Sequence, residues 1–294
     1  MNTTYRILTD SSCDMPAALA SALGVTAVPL SVQFKGKEYE NLLDGAKGNR
    51  LKIQEFYRAL RAGEDTSTTA VNPEKWAAAM RPILKAGEDI LILAFSSGLS
   101  ATYASAVTAA AELVSQYPER KIQVVDTLCA SMGQGLLVYL AVQQQRMGKS
   151  LDQVAEYVLE NRLHLCHWFT VNDLMFLKRG GRVSAATAVM GTMLKIKPVL
   201  HVDNEGHLIN VSKARGRRAS IDAMAAKIGA TGIDPANQVI FISHGDCIQD
   251  AEYLADSIRA TYHPKDVVIS YVGPVIGSHS GPGTLALFFL GTVR

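Results

Sequence analysis

Short apolar runs alternate with segments of helical period along the first half of the chain. Residues 5–9 and 122–126 predict strands, and the continuous apolar run 89–95 is typical of a strand that is buried on both faces. A polar stretch at 64–72 joins two of the predicted helices. An extended segment is predicted at 25–34, and helices are predicted near Pro16 and over 53–62, 73–86, 100–117 and 132–148. This alternation predicts a parallel sheet covered by helices.

The second half of the chain mixes strands and helices. A polar turn at 202–207 separates two apolar runs, which predicts an antiparallel hairpin. Strands are predicted at 163–171, 197–202, 239–243, 267–272 and 285–290, helices at 151–163, 217–230 and 249–262, and a small-residue helix or loop at 184–194. We place a domain boundary near residue 163. A parallel-sheet α/β domain then occupies 1–163, and a mixed α/β domain occupies 164–294.

Composition narrows the class of protein. A chain of 294 residues suggests about two domains, and 48% hydrophobic with 19% charged residues argues against disorder. Lys plus Arg number 29 and Asp plus Glu 27, and this balance, 29 − 27 = +2, argues against a nucleic-acid partner. The apolar run 136–142 is far shorter than the about 20 residues that span a bilayer. Because signal-peptide, disulfide and metal-ligand patterns are lacking, we expect a cytoplasmic protein without a metal site.

The loop after the buried strand 89–95 is the most informative candidate site. Ligands bind at the carboxyl ends of strands in open α/β sheets, and here Ser96, Ser97 and Gly98 precede a predicted helix. Hydroxyls and free backbone N–H groups at a helix start suit a carboxylate or a phosphate. A serine N-cap with a glycine turn explains the same residues without a ligand. The loop has neither the Gly-Lys-Ser/Thr of a nucleotide phosphate loop nor the Gly-X-Ser-X-Gly of serine hydrolases.

Other stretches also combine small or hydroxyl residues with groups that bind anions. Arg182 follows two glycines in 176–184, and a solvated basic turn is the alternative interpretation. His279 lies among glycines in 277–283, where the backbone can approach a ligand, but an incidental histidine in a glycine-rich turn is equally consistent. The hydroxyl-rich stretch 66–69 is a further candidate.

Five motifs, taken in order, resemble the DegV family of bacterial fatty-acid-binding proteins. They are Thr9-Asp10-Ser11-Ser12, the loop and helix start at 96–103, the basic glycine segment at 177–184, Lys195-Ile196-Lys197-Pro198, and the segment 277–283. The resemblance covers the whole chain and implies a two-domain α/β fold that holds a lipid between or beside its domains. It also implies that a separate fatty acid kinase phosphorylates the acyl carboxylate while this protein carries it.

The same resemblance implies the ligand-binding residues. Mapped by motif, they are Thr66, Ser67, Ser96, Ser97, Gly98, Arg182 and His279. The carboxylate would bind Thr66 or Ser67 and a serine of the 96–98 loop, for which Ser97 is favoured, while Arg182 and His279 support that serine. Where many members have Thr-Ser-Gln-Pro-Ser, this chain has Thr-Ser-Thr-Thr-Ala at 66–70. The missing proline and last serine leave open which hydroxyl reaches the carboxylate.

Three functions compete on this basis. A non-catalytic carrier of a long-chain fatty acid, with no other cofactor, fits the motifs most fully. An enzyme that uses Ser97 and His279 for phosphotransfer or hydrolysis is the main alternative, and an interaction module built on the basic segment 213–218 is the third. For the carrier, transient contact with a membrane surface is a further expectation. Its candidate contacts to the kinase are Lys178, Arg179, Lys213, Arg215, Arg217 and Arg218.

Overall fold

A computed structural model describes residues 4–184 and 196–294. The first-half strands are Tyr5–Asp10 (β1), Thr26–Val28 (β2), Ser31–Phe34 (β3), Lys37–Glu40 (β4), Ser67–Thr69 (β5), Asp89–Ala94 (β6) and Ile122–Asp126 (β7). Strands β2, β1, β6 and β7 form a parallel sheet in that order, which confirms the predicted parallel sheet. The helices are Ala17–Leu23 (α1), Ile53–Arg61 (α2), Pro73–Lys85 (α3), Thr102–Gln116 (α4), Met132–Arg146 (α5) and Leu151–Asn161 (α6).

A small antiparallel sheet of order β4-β3-β5 lies beside the parallel sheet. No hydrophobic pattern predicts this sheet, and the stretch 64–72, expected only to join two helices, contains β5. The reason is physical: β5 is three polar residues long, so it has no apolar alternation, and it exists only because it pairs with β3, more than thirty residues earlier in the chain.

The second half is built on one mixed sheet of order β10-β9-β8-β13-β11-β12. Its strands are Leu165–Thr170 (β8), Ile196–Val202 (β9), Leu208–Arg215 (β10), Val239–His244 (β11), Asp266–Tyr271 (β12) and Leu285–Leu290 (β13). The predicted hairpin is confirmed, since β9 and β10 pair antiparallel, while β11 and β12 run parallel. The helices are Met175–Arg179 (α7), Arg217–Thr231 (α8), Ile248–Tyr262 (α9) and Pro274–Ser280 (α10).

The glycine-rich stretch 277–283 is not the simple turn that was one of its two interpretations. It begins inside α10, because Pro274 at the first helical position starts a helix that ends at Ser280. The helix or loop expected over 184–194 lies, apart from Ser184, outside the described residues, as does Lys195.

Helix α5 joins the two large sheets. Its residues Leu137 and Val138 are buried in one apolar cluster with Leu93 of the parallel sheet and with Phe241 and Phe288 of the mixed sheet. A helix that is apolar on both sides is expected at such a position. The boundary placed near residue 163 falls between α6 and β8, and it stays a prediction. Within 4–184 and 196–294, no helix is both long enough and apolar enough to cross a bilayer.

Candidate functional site

A largely apolar cavity of about 300 Å³ lies between the carboxyl edge of the parallel sheet and the inner face of the mixed sheet. The strand-end loops of the first half contribute Phe95 and Leu99, and the mixed sheet contributes Phe169, Val202 and Phe288. Since both halves of the chain supply walls, the cavity lies at their interface. Its volume is at the lower end of the range for small-molecule sites, about 300–1,000 Å³.

The polar end of this cavity is formed by Thr68, Ser100, Arg182 and His279. The Oγ1 of Thr68 lies 2.8 Å from the Nε2 of His279, although 211 positions separate them in the sequence. Arg182 Nη2 donates a hydrogen bond of 3.1 Å to the carbonyl of Leu99. The segment that carries Arg182 therefore contacts the loop after β6.

Close backbone packing positions His279. A Cβ atom on Gly180 would lie 2.2 Å from the Nδ1 of His279, so only a glycine leaves room for the imidazole there. On the other side, a Cβ on Gly277 would lie 2.6 Å from the Oη of Tyr57. The Tyr57 hydroxyl in turn donates to the carbonyl of Val272 at 2.7 Å. Gly180 thus allows the segment after α7 to approach the imidazole closely, and Gly277 allows α2 to pack closely against α10.

The charge of the polar end comes from the guanidinium of Arg182. Burial, together with the positive charge of Arg182, lowers the pKa of His279 from 6.5 to about 4. The imidazole is therefore neutral at pH 7 and hydrogen-bonds with Thr68 without adding a charge. Hydroxyls, a neutral imidazole and one cation suit an anion with two acceptor oxygens, such as a carboxylate.

One more hydroxyl lies at this end. Ser280 lines the cavity next to His279, is only 3% exposed, and its Oγ has no hydrogen-bond partner within the described residues. Buried hydroxyls without a partner are rare and call for an explanation. A ligand oxygen in the cavity would supply the missing partner. In the sequence, the one feature that could have singled out Ser280 is its position next to His279.

The predicted loop residues Ser96, Ser97 and Gly98 do not line the cavity. The Ser96 hydroxyl is buried and donates to the carbonyl of Gly206 at 3.0 Å, and a Cβ on Gly98 would meet the carbonyl of Glu205 at 2.9 Å. These two residues hold the turn of the β9–β10 hairpin. Ser97 is exposed, and its N–H donates to Asp126 at 3.2 Å.

Ser100 is the serine of this loop that does line the cavity. Its Oγ lies 2.9 Å from the Oγ1 of Thr102, at the start of α4. The signal that could have selected it is its position, since it is the serine nearest the helix N-terminus, where free N–H groups lie.

In the stretch 66–70, as in the 96–100 loop, the hydroxyl residue that lines the cavity lies further along the chain than the predicted ones. Thr66 is half-buried and Ser67 is exposed, and neither lines the cavity, whereas Thr68 does. Asn72 caps α3 by accepting a hydrogen bond from the N–H of Lys75 at 2.8 Å. If the last serine of the family pattern Thr-Ser-Gln-Pro-Ser is aligned with this cap, the first threonine falls on Thr68. A match that begins at Thr66 is then two residues too early.

The first motif, residues 9–12, does not line the cavity but holds the loop after β6 in place. Asp10 is fully buried at the end of β1 and accepts hydrogen bonds from the N–H groups of Ser12 (3.1 Å) and Phe95 (2.8 Å) and from Gln134 Nε2 (3.1 Å). It thereby joins the end of β1 to the loop after β6, and burial raises its pKa. Within the described residues, no group of three or more His, Cys, Asp or Glu side chains is placed to hold a metal ion.

The geometry tests one requirement of the alternative enzyme hypothesis, namely that Ser97 and His279 lie together. The Nε2 of His279 faces Thr68, and Ser97 contacts Asp126 through its backbone on the exposed side of the loop. The structure therefore does not bring Ser97 and His279 together as a nucleophile and base, which would need to lie within hydrogen-bond reach.

Fold and site define an α/β protein with an apolar cavity between its two halves, one end of which carries hydroxyls, an imidazole and a guanidinium. The chain belongs to the DegV family, whose model, described as an uncharacterised protein family, matches residues 4–292. A DegV domain-containing protein of Clostridium perfringens is 44% identical over 290 residues, which is 99% of this chain and 98% of that protein.

Two solved structures show the same fold. A fatty-acid-binding DegV family protein from Thermus thermophilus is 30% identical, with a TM-score of 0.86 over 98% of this chain and 99% of that one. The B3 protein of the Streptococcus pneumoniae fatty acid kinase, loaded with linoleic acid, is 23% identical, with a TM-score of 0.82 over 98% and 99% of the two chains. The predicted two-part α/β fold of this family is thus confirmed.

Proposed function

We propose that this protein binds one long-chain fatty acid in the cavity. The observation that carries the proposal is an apolar cavity that ends in the hydroxyls of Thr68, Ser100 and Ser280 with the imidazole of His279 and the guanidinium of Arg182. The carboxylate would accept hydrogen bonds at this end, and the hydrocarbon chain would lie against the apolar walls. The fatty-acid binding of the Thermus thermophilus relative supports the proposal.

Energetics favour tight retention. Each buried methylene contributes roughly 0.8 kcal/mol, so about fifteen methylenes contribute on the order of 10 kcal/mol. Association costs at least about 4 kcal/mol of lost freedom. A buried carboxylate is costly unless it is hydrogen-bonded or paired with a charge, and the polar end supplies both kinds of partner. In this proposal the predicted residues Ser96 and Gly98 act indirectly, by holding the loop that carries Ser100.

A comparison of an acid with its ester tests the role of the polar end. Octadecanoic acid and its methyl ester share one chain, but the ester carries no charge. We expect the acid to bind at least tenfold more tightly in a fluorescence displacement titration, since a hydrogen bond to a charged group contributes about 1.5–3 kcal/mol. Equal affinities would show that the carboxylate is not bound at a dedicated site.

We further propose that the protein is a carrier, without catalysis of its own, that presents the carboxylate to a separate fatty acid kinase. The five family motifs imply this role, and the fold shared with the Streptococcus pneumoniae B3 protein is compatible with it. Lys178 and Arg179 are exposed at the end of α7, directly before the glycines that pack on His279. They are the predicted docking cations nearest in sequence to the polar end.

The other predicted docking residues lie further along the sequence from the polar end. Two of them are engaged much as Arg179 is, which pairs with Asp65 at 3.4 Å and stacks on the ring of Phe176. Arg217 pairs with Asp250 at 2.8 Å, and Arg218 stacks on the ring of Tyr253. Lys213 and Arg215 lie on β10, which contributes Leu208 to the cavity lining. At roughly 3.3 Å per residue, Arg215 at the far end of this strand lies about 23 Å from Leu208. These two cations therefore serve as a matched comparison for Lys178 and Arg179.

A coupled assay tests the carrier role. Loaded protein, ATP and a purified bacterial fatty acid kinase should give acyl phosphate, and omission of the kinase should give none. Charge reversal of Lys178 and Arg179 to Glu should slow the reaction without loss of bound lipid, and the same reversal of Lys213 and Arg215 should slow it less. Acyl phosphate formed without the kinase, or an equal effect of both reversals, would contradict this assignment.

A further inference from the structure

A second polar group lines the cavity apart from the carboxylate end. Ser131, at the start of α5, and Ser243, on β11, both line the cavity, and their Oγ atoms lie 3.0 Å apart. The Ser131 Oγ also lies 2.6 Å from the Oδ2 of Asp14. Hydroxyls in a wall of Phe and Val side chains lower its affinity for plain hydrocarbon, because they must give up water when a chain covers them.

The hydroxyl of Ser243 retains unused hydrogen-bonding capacity. Its side chain is fully buried, and Ser131 is the one side-chain partner that the described residues give it. A serine hydroxyl can donate one hydrogen bond and accept two. An oxygen atom on a ligand would therefore find an open position at Ser243.

The backbone at Ser131 is held in a rare conformation. Its φ of 52° and ψ of −144° lie in a region that residues other than glycine seldom adopt. Such conformations cost free energy and concentrate at ligand sites, where the surrounding structure maintains them. Here the conformation places the Ser131 hydroxyl at the cavity wall, within hydrogen-bond distance of both Asp14 and Ser243.

Asp14 orients the hydroxyls of this group. The Ser131 hydroxyl donates to the Oδ2 of Asp14, so the hydrogen bond between the two serines takes its hydrogen from Ser243. Burial raises the pKa of Asp14 to about 8, although the hydrogen bonds from Ser131 and Gly273 act to lower it. The Ser243 oxygen then keeps a lone pair that can accept a hydrogen bond from a ligand hydroxyl.

Helix α10 gives the approximate scale of the separation between the two polar groups, because its start contacts Asp14 and its last turn carries His279. The Oδ1 of Asp14 accepts a hydrogen bond of 3.0 Å from the N–H of Gly273, the residue before α10, and His279 lies six residues further on. At 1.5 Å per residue this is about 9 Å along the helix axis. Val275 and Ile276 line the cavity between these points. An extended alkyl chain advances roughly 1.25 Å per carbon, so about seven carbons separate the carboxylate from the inner group.

We infer that the cavity is built for an acyl chain that carries a hydroxyl near its middle, which Ser131 and Ser243 bind. This inference rests on the proposed fatty-acid binding and narrows its substrate class to mid-chain hydroxy fatty acids. A hydroxyl can both donate and accept, so it can complete the hydrogen bonds of Ser243. A hydroxyl close to the carboxylate or close to the methyl end would lie too far from this serine.

Titration with a positional series tests the inference. The ligands are octadecanoic acid and its derivatives with a hydroxyl at carbon 3, 9 or 17. We expect the 9-hydroxy acid to bind roughly fivefold more tightly than the other three, as one net hydrogen bond allows. Ser243→Ala should abolish this preference without weakening the binding of octadecanoic acid, because it removes a hydroxyl from the part of the wall that a plain alkyl chain covers.

Ser270→Ala is the matched control. Ser270 is buried on β12 of the same sheet and does not line the cavity, so its substitution should keep the preference for the 9-hydroxy acid. Equal binding of the 9-hydroxy and unsubstituted acids to the unaltered protein, or a preference that survives Ser243→Ala, would overturn the inference and leave fatty-acid binding intact. Failure of octadecanoic acid itself to bind would overturn both.

Discussion

At the scale of single residues, the site depends on the contact between Thr68 and His279. The imidazole is neutral because burial and the nearby guanidinium of Arg182 both lower the pKa of His279. The Thr68 hydroxyl and the imidazole can therefore orient each other without competing for the charge of a bound carboxylate. In the proposed complex Arg182 supplies the compensating charge, which would make the polar end selective for anions.

Thr68→Val tests the hydroxyl directly. Valine keeps the shape of the side chain, so the change removes hydrogen bonds and leaves the packing. We expect fatty-acid affinity to fall by roughly 1.5–3 kcal/mol, or about ten- to a hundredfold. Ser67→Ala is the control, because Ser67 is exposed and adjacent strand residues point to opposite faces. If Ser67→Ala lost as much affinity as Thr68→Val, the contact with the carboxylate would be assigned to Thr66 or Ser67 and not to Thr68.

The low pKa of His279 predicts a dependence of stability on pH. In the unfolded chain a histidine binds a proton below about pH 6.5, whereas in the folded protein His279 does so only near pH 4. Falling pH in this window therefore favours the unfolded chain. We expect His279→Gln to lose less stability between pH 6.5 and 4 than the unaltered protein, by up to about 3 kcal/mol. Urea unfolding at several pH values measures this, and identical pH profiles would contradict it.

At the scale of elements, strand ends and helix ends carry the site. Thr68 lies on β5, Ser100 lies just before α4, and His279 lies in the last turn of α10. The two adjacent glycines after α7, Gly180 and Gly181, have different structural roles. Gly180 makes room for His279, whereas Gly181 has a φ of +70° and open space where a Cβ would lie, with no neighbouring atom within 4 Å.

Alanine substitutions at Gly180 and Gly181 separate the effect on ligand binding from the effect on stability. Gly180→Ala should displace His279 and lower fatty-acid affinity at least tenfold, because the added Cβ would lie 2.2 Å from Nδ1. Gly181→Ala should mainly lower the free energy of unfolding, by about 1–2 kcal/mol, because alanine is strained at positive φ. Titration and chemical denaturation of both variants provide the test. Weak binding in Gly181→Ala with normal binding in Gly180→Ala would reverse the assignment.

The same scale shows what could be predicted from the sequence. Strands β7 and β13 match the predicted ranges because their local patterns suffice: β13 is a continuous apolar run, and β7 is rich in β-branched residues. The small sheet was missed because β5 is polar and depends on a distant partner. Arg182 and His279, singled out by their glycine-flanked motifs, line the cavity. Thr68 lay within the candidate stretch 66–69 but was not preferred to Thr66 or Ser67, because its contact with His279 spans 211 positions and cannot be inferred from local spacing. Ser100 was not preferred to Ser96 or Ser97, because the local sequence does not show which serine of the loop turns toward the cavity.

At the scale of the whole molecule, the cavity and its surrounding contacts join the two halves. Asp14 of the first half accepts from the N–H of Gly273 in the second, and Tyr57 donates to Val272. A ligand held between these halves adds contacts to both. It should therefore stabilise the folded chain as a unit.

Thermal unfolding with and without ligand tests this coupling. At a free fatty-acid concentration of 100 times Kd, binding adds about 2.7 kcal/mol to the free energy of unfolding. An unfolding entropy of about 2.1 cal/mol/K per residue gives roughly 0.6 kcal/mol/K for 294 residues, so we expect Tm to rise by about 4–5 °C in differential scanning calorimetry. At the same concentration the shift should be smaller for Thr68→Val. An unchanged Tm at saturating fatty acid would show that the ligand does not bind preferentially to the folded state.

Mass spectrometry of the lipid extracted from the purified protein tests most directly whether the cavity holds a fatty acid. The protein is expressed in bacteria, purified without added lipid, extracted with organic solvent and quantified against its own concentration. We expect about one long-chain fatty acid per chain, and clearly less in Gly180→Ala, whose polar end is disturbed. An extract without fatty acid, from protein that also fails to take up added octadecanoic acid, would contradict the proposed function.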